Sequence, residues 1–192
     1  MSVFVPEPEP PELLARNLAV GTRLWVAATT FAFLGPFFAY LYLRSLNTAD
    51  LWRPAGVDPP QMLGAAIVVL TVASAIILAL AAHRSQPGGR WMLLVAVSLA
   101  LGLGAVALQV VAYARLGFGP TDGGYASVFV AWTGLSSLFA LATMLWLETF
   151  LASSWRGTTD AARGPRLAAL AFYWAFLAGL SLVMWFCLYV TA

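Results

Sequence analysis

The chain has 192 residues, 61% of them hydrophobic and 9% charged, with a formal net charge of +2. A soluble domain carries roughly 45–50% apolar and about 25% charged residues, so this chain has too little polar material to cover a globular surface in water and is expected to face lipid. The ten basic residues are all Arg and lie scattered between apolar runs, with no basic stripe that would point to nucleic acid.

The first twelve residues, MSVFVPEPEPPE, hold four Pro and three Glu. They lack the charged-then-apolar opening of a cleavable signal peptide. Residues 1–21 are expected to form a disordered or extended cytoplasmic tail, and residues 22–192 a single transmembrane domain.

Crossing about 30 Å of hydrocarbon takes about 20 mostly apolar residues. Segments 24–43, 62–82, 91–113, 125–150 and 167–190 reach that length, and they carry no charge except Glu148 near the end of the fourth. The expected fold class is all-α, an integral membrane bundle of five transmembrane helices. Helices satisfy their own backbone in lipid, whereas a barrel would show alternating segments of about ten residues.

In the first span, Gly35-Pro36 is expected to kink the helix, because Pro36 lacks a backbone donor and clashes one turn back. Gly102, Gly104 and Ala105 in the third span and Gly134, Ser136 and Ser137 in the fourth suit close helix contact. Trp25, Trp52, Trp91 and Trp155 lie near span ends and read as interfacial anchors. The connections are short. With the N-terminus inside, seven Arg (16, 23, 84, 90, 156, 163 and 166) fall on the cytoplasmic side and three (44, 53 and 115) on the other. That asymmetry supports an N-inside, C-outside topology.

Chemistry of the chain's own is hard to find. Haem and copper need His, Cys, Met or Tyr ligands. The single histidine, His83, sits beside Arg84 at the end of the second span, and the single cysteine, Cys187, lies inside the last apolar run. The first reads as a solvated interfacial residue and the second as packing. Neither a nucleophile–base pair nor a glycine-rich phosphate loop is present. No catalytic, cofactor-binding or metal-binding residue is expected. Glu148 reads as an interfacial acid. Neutral polar residues remain within the spans: Thr29, Thr30, Thr71, Ser74, Gln109, Thr133, Ser136, Ser137 and Ser181. The hydroxyls can bond their own helix backbone. Gln109 is harder to hide and is expected to contact another helix. Such a chain is expected to partner something else that does the chemistry.

Three stretches carry a resemblance. In WVAATTFAFLGPFFAYLYLR, Trp25, Phe33, Gly35, Tyr40 and Arg44 are spaced as in the first helix of a known family. In QVVAYARLGFGPTDGGYASVFVAWTG the matching positions are Gln109, Tyr113, Tyr125, Ser127, Phe129, Thr133 and Gly134. In YWAFLAGLSLVMWFCLY they are Tyr173, Trp174, Phe176 and Tyr189. Together they resemble subunit III of haem–copper terminal oxidases, in its short five-helix form. The framework is kept while ionisable positions are lost. The family's acids fall on Thr29, Ala112 and Ala178, and its histidines on Ser136, Phe139 and Ala175.

The resemblance implies an accessory, non-catalytic subunit in a multi-pass bacterial inner-membrane complex. It would pack on the catalytic oxidase subunit I, beside the electron-entry subunit II, in a proton-pumping cytochrome c oxidase. It would hold phospholipids between its helices and stabilise turnover in aerobic electron transport, with haem and copper in the partner subunits. A quinol oxidase subunit and a protein associated with nitric oxide reductase are variants of the same reading. A small transporter or a scaffold is the alternative of another class.

Overall fold

Each apolar run folds as one helix. Helix α1 spans Pro11–Ser45, α2 Gln61–His83, α3 Trp91–Ala114, α4 Gly124–Trp155 and α5 Arg163–Trp185, and α5 continues into a π-helical turn, Phe186–Val190. The structure, a computed structural model, describes residues 10–46, 52–53, 56–84, 90–155 and 163–191. All five helices are long and apolar enough to cross a membrane.

Helix α1 begins well before the first apolar run. Residues 11–21, expected to be tail, are helical, while residues 1–9 lie outside the described residues. Local chemistry explains the correction. Pro11 occupies the first helical position, where its missing N–H would be unpaired anyway and its φ is preset. Glu12 follows in the first turn, where the helix dipole favours an acid. Leu13, Leu14, Ala15, Arg16, Leu18 and Ala19 are good helix formers. At the other proline, Pro36 lies inside α1, with helix on both sides.

The helices close into a ring. Helix α2 packs most extensively on α3 and next on α5; α3 meets α4, α4 meets α1, α1 meets α5, and α4 also touches α5 across the ring. Small residues permit the closest approaches. A Cβ on Gly102 of α3 would overlap the Met144 sulfur of α4, and one on Gly64 of α2 would lie 2.5 Å from the Tyr189 ring. Lipid offers no hydrophobic drive between apolar helices, so dispersion from such close contact and interhelical hydrogen bonds hold them together.

Two of the four expected anchor tryptophans face inward. Trp25 is 52% and Trp155 83% exposed, whereas Trp52 and Trp91 are buried. Trp52 stands edge-on to both Tyr40 and Tyr125, at 5.6 and 5.7 Å between ring centroids. Trp91 packs near Phe150, and the Arg163 guanidinium lies 5.2 Å from its ring centre. A tryptophan at a span end satisfies the interfacial pattern, but here two of them close the bundle ends. Glu148 and His83 both point away from the bundle.

Candidate functional site

The polar side chains within the spans are not spread over the bundle. Thr30, Thr71, Ser136, Ser137 and Ser181 bond carbonyls of their own helix, while others pair between helices, and framework positions picked out in the sequence fall among these in three places.

The first is the end of the bundle where α1 finishes and α4 begins. The C-terminal turns of a helix leave carbonyls without intrahelical partners, and in α5 these are met by other helices. The Tyr125 hydroxyl, from the first turn of α4, donates to the Leu188 carbonyl at 2.7 Å. The Gln61 amide of α2 donates to the Tyr189 carbonyl at 3.3 Å. Thr191, just past the π-turn, shares a hydrogen bond with the Tyr40 hydroxyl at 2.9 Å. Arg44 donates to that same Tyr40 oxygen and to the Thr191 hydroxyl. Arg53 lies over the Tyr125 ring at 5.1 Å and pairs with Asp58. Tyr125 is completely buried and Tyr40 nearly so. Ser127 is exposed, and its hydroxyl donates to the Pro120 and Gly123 carbonyls, tying the preceding loop to the start of α4.

The second lies within the bundle. Ser74 of α2 and Ser98 of α3 are reciprocal: the Ser74 hydroxyl lies 2.7 Å from the Ser98 carbonyl, the Ser98 hydroxyl 2.8 Å from the Ser74 carbonyl, and the two hydroxyls 3.0 Å apart. The Trp174 indole N–H of α5 donates to the Ser74 hydroxyl at 2.9 Å, so one fully buried knot joins three helices. Farther along α3, Tyr113 pairs with Thr133 of α4 at 2.7 Å. The Thr133 hydroxyl itself donates to the Phe129 carbonyl at 2.6 Å, which leaves Tyr113 as the donor to it. A Cβ on Gly134 would sit 3.5 Å from that Tyr113 oxygen, in ordinary contact. Gln109 is different. It is buried, yet its amide nitrogen has no hydrogen-bond partner, and it lines a small cavity to which the other helices also contribute.

The third joins α1 to α5. The Thr29 and Tyr173 hydroxyls are 3.0 Å apart, and the Trp25 ring lies 6.4 Å from that of Tyr173. Thr29, Ala112 and Ala178, where the resemblance places acids, are all within the bundle, at 2%, 1% and 4% exposure. An ionised carboxylate at such a place needs a buried partner. Here Thr29 is neutral and already bonded to Tyr173, and the two alanines ask for nothing.

Sequence reasoning named Ser74 but missed Ser98, Thr191, Gln61 and the Leu188 carbonyl. Ser98 could have been found, since it is the lone hydroxyl between Trp91 and Leu108. The carbonyl partners depend on where α5 ends, which composition does not mark.

Among the described residues no three of His, Cys, Asp and Glu come together. His83 is exposed, and Cys187 lies half-buried near the end of α5.

Residues 11–192 match the model of the family described as cytochrome c oxidase subunit III. The chain belongs to that family. It is 30% identical over 187 residues to cytochrome c oxidase subunit 3 of Ornithorhynchus anatinus, covering 94% of this chain and 70% of that protein. The subunit 3 of Tachyglossus aculeatus aculeatus is 29% identical over the same shares, and that of Cyprinus carpio is 28% identical, covering 92% of this chain and 69% of its own. This chain is thus a multi-pass membrane member of the subunit III family, and Tyr40, Tyr113, Tyr125, Thr133, Tyr173 and Trp174 among its framework positions take part in the interhelical pairs above.

Proposed function

We propose that this chain is the accessory, non-catalytic subunit III of a respiratory terminal oxidase of the cytochrome c oxidase type. It packs on the catalytic subunit I, in a complex whose electron-entry subunit is subunit II and whose haem and copper lie in those partners. The observation that carries this reading is the match to the family along 11–192. The physical character of the chain supports it: buried polar side chains such as Ser74, Ser98, Thr133 and Tyr173 join helices to one another.

The wider part of the reading concerns lipid and orientation. The chain stands N-inside and C-outside, on the seven-to-three distribution of Arg. Grooves beside the N-terminal half of α1, lined by Trp25, Phe139, Trp146 and Tyr173 on one side and by Thr22, Arg23, Ala169 and Phe172 on another, suit phospholipid chains, and they measure about 350 and 330 Å³. Held there, lipid covers surface that would otherwise stand open beside the partner.

Deleting the subunit from its complex tests the role. The haem spectrum is expected to persist, while the number of turnovers before inactivation falls several-fold. A haem spectrum lost outright from an otherwise assembled complex would contradict a non-catalytic role.

A further inference from the structure

Between the helices lies a partly open cavity of about 40 Å³. Every helix contributes to it: Phe33 from α1, Thr71 from α2, Gln109 from α3, Ser136 and Ser137 from α4, and Ser181 with Met184 from α5. It adjoins the Ser74 knot through Trp174, whose ring is also part of its lining. Most of the lining is apolar, with Ile67, Val106 and Leu177 among it, and the few polar groups within it are arranged in a particular way.

Each hydroxyl has already committed its proton. Thr71 donates to the Ile67 carbonyl at 2.8 Å, Ser137 to Thr133 at 2.8 Å and Ser181 to Ala178 at 2.8 Å. Ser136 has the Trp132 carbonyl at 2.9 Å and the Met184 sulfur at 3.1 Å as its acceptors. What these oxygens can still offer is lone pairs. Gln109 offers the opposite: its amide nitrogen, a double donor, is buried and unpartnered, in a residue 6% exposed. The cavity therefore presents donors on α3 and acceptors on α2, α4 and α5.

We infer that this cavity is an internal water site, holding water that accepts from the Gln109 amide and donates to the surrounding hydroxyl oxygens. Water is the occupant that meets both needs at once. An acyl chain meets neither. A pure acceptor such as a carbonyl would satisfy Gln109 and leave the hydroxyl oxygens bare. Size agrees: one water needs about 10–15 Å³ measured in this way and two to four polar partners, so there is room for up to about three beside the Gln109 amide and the four hydroxyls. The water links α3 to the other helices through Gln109, and that is why a residue so hard to bury in lipid is kept among apolar neighbours.

Radiolytic footprinting of the purified native complex tests this, because radicals born from a trapped water oxidise the sulfur beside it. Met184 lines the cavity and is 5% exposed, while Met144 is fully buried and outside the lining. Met184 is expected to oxidise at least fivefold faster than Met144 in the wild-type complex. In Gln109→Leu, its rate should fall to that of Met144. Equal slow rates in the wild type would overturn the proposal, as would a fast Met184 rate unchanged in Gln109→Leu. Should the variant fail to assemble, high-resolution density for the unmodified complex decides. A compact peak ~3 Å from the Gln109 amide nitrogen supports the site, and rod-like acyl density, a partner side chain or no density overturns it.

Discussion

The Tyr125 hydroxyl donates to the main-chain carbonyl of Leu188, 2.7 Å away, so that the first turn of α4 closes the last turn of α5. Both groups are fully buried, and no water from outside can replace either. A ring of aromatic side chains, Trp52, Phe118 and Phe129, fixes the phenol in place.

Tyr125→Phe keeps the ring and removes the donor, leaving the carbonyl bare. Hydrogen bonds between membrane helices are worth about 0.6 kcal/mol on average and up to about 1.7, and an orphaned buried acceptor adds to the loss. The variant is expected to lose about 1–2 kcal/mol in reversible unfolding from mixed micelles. No measurable loss would mean that the carbonyl has another partner.

Gly102→Ala is expected to be worse than its size suggests. The new methyl would overlap the sulfur of the fully buried Met144 side chain, which must shift among its packed neighbours. Overpacking of this kind costs about 1–3 kcal/mol. Shortening the opposing residue should relieve it, so Gly102→Ala combined with Met144→Ala should lose less than the sum of the two single variants. Strict additivity would show that the two residues do not meet.

Ser74 and Ser98 should behave as one unit. Each hydroxyl lies against the other residue's carbonyl, and Trp174 adds a third bond. Ser74→Ala should unsettle both Ser98 and the indole, whereas Ser98→Ala leaves the Trp174 bond in place. Ser74→Ala is therefore expected to cost more, and a double-mutant cycle should give a coupling of about 0.5–1.5 kcal/mol. A coupling near zero would contradict the reciprocal pair.

The five spans were legible because lipid imposes one condition, a long apolar run, that composition reports directly. The framework positions were legible too, but what they do was not. Tyr113 and Thr133 lie apart in sequence and meet only because α3 and α4 run side by side. The first turns of α1 went unseen because Glu12, Arg16 and Asn17 break the apolar signal without breaking the helix. Trp52 and Trp91 misled because a tryptophan at a span end looks the same whether it faces headgroups or folds onto its neighbours. The acceptor-only hydroxyls around Gln109 required the rotamers: the sequence shows four hydroxyl residues and an amide, without where each proton goes.

The proposed orientation has its own check. Single cysteines at Arg84 and Gly119, in a chain whose Cys187 is replaced by Ala, should react with a membrane-impermeant thiol reagent from opposite sides. Arg84→Cys is expected to label from the cytoplasmic face and Gly119→Cys from the other. Labelling of both from one side contradicts the topology.

The central claim is that this chain belongs to a larger oxidase, and gentle purification tests it most directly. An affinity-tagged chain extracted in mild detergent is expected to carry with it a larger, haem-bearing subunit, with a haem absorbance band coincident with the chain on size exclusion. A monodisperse chain with no partner and no haem absorbance would contradict the assignment.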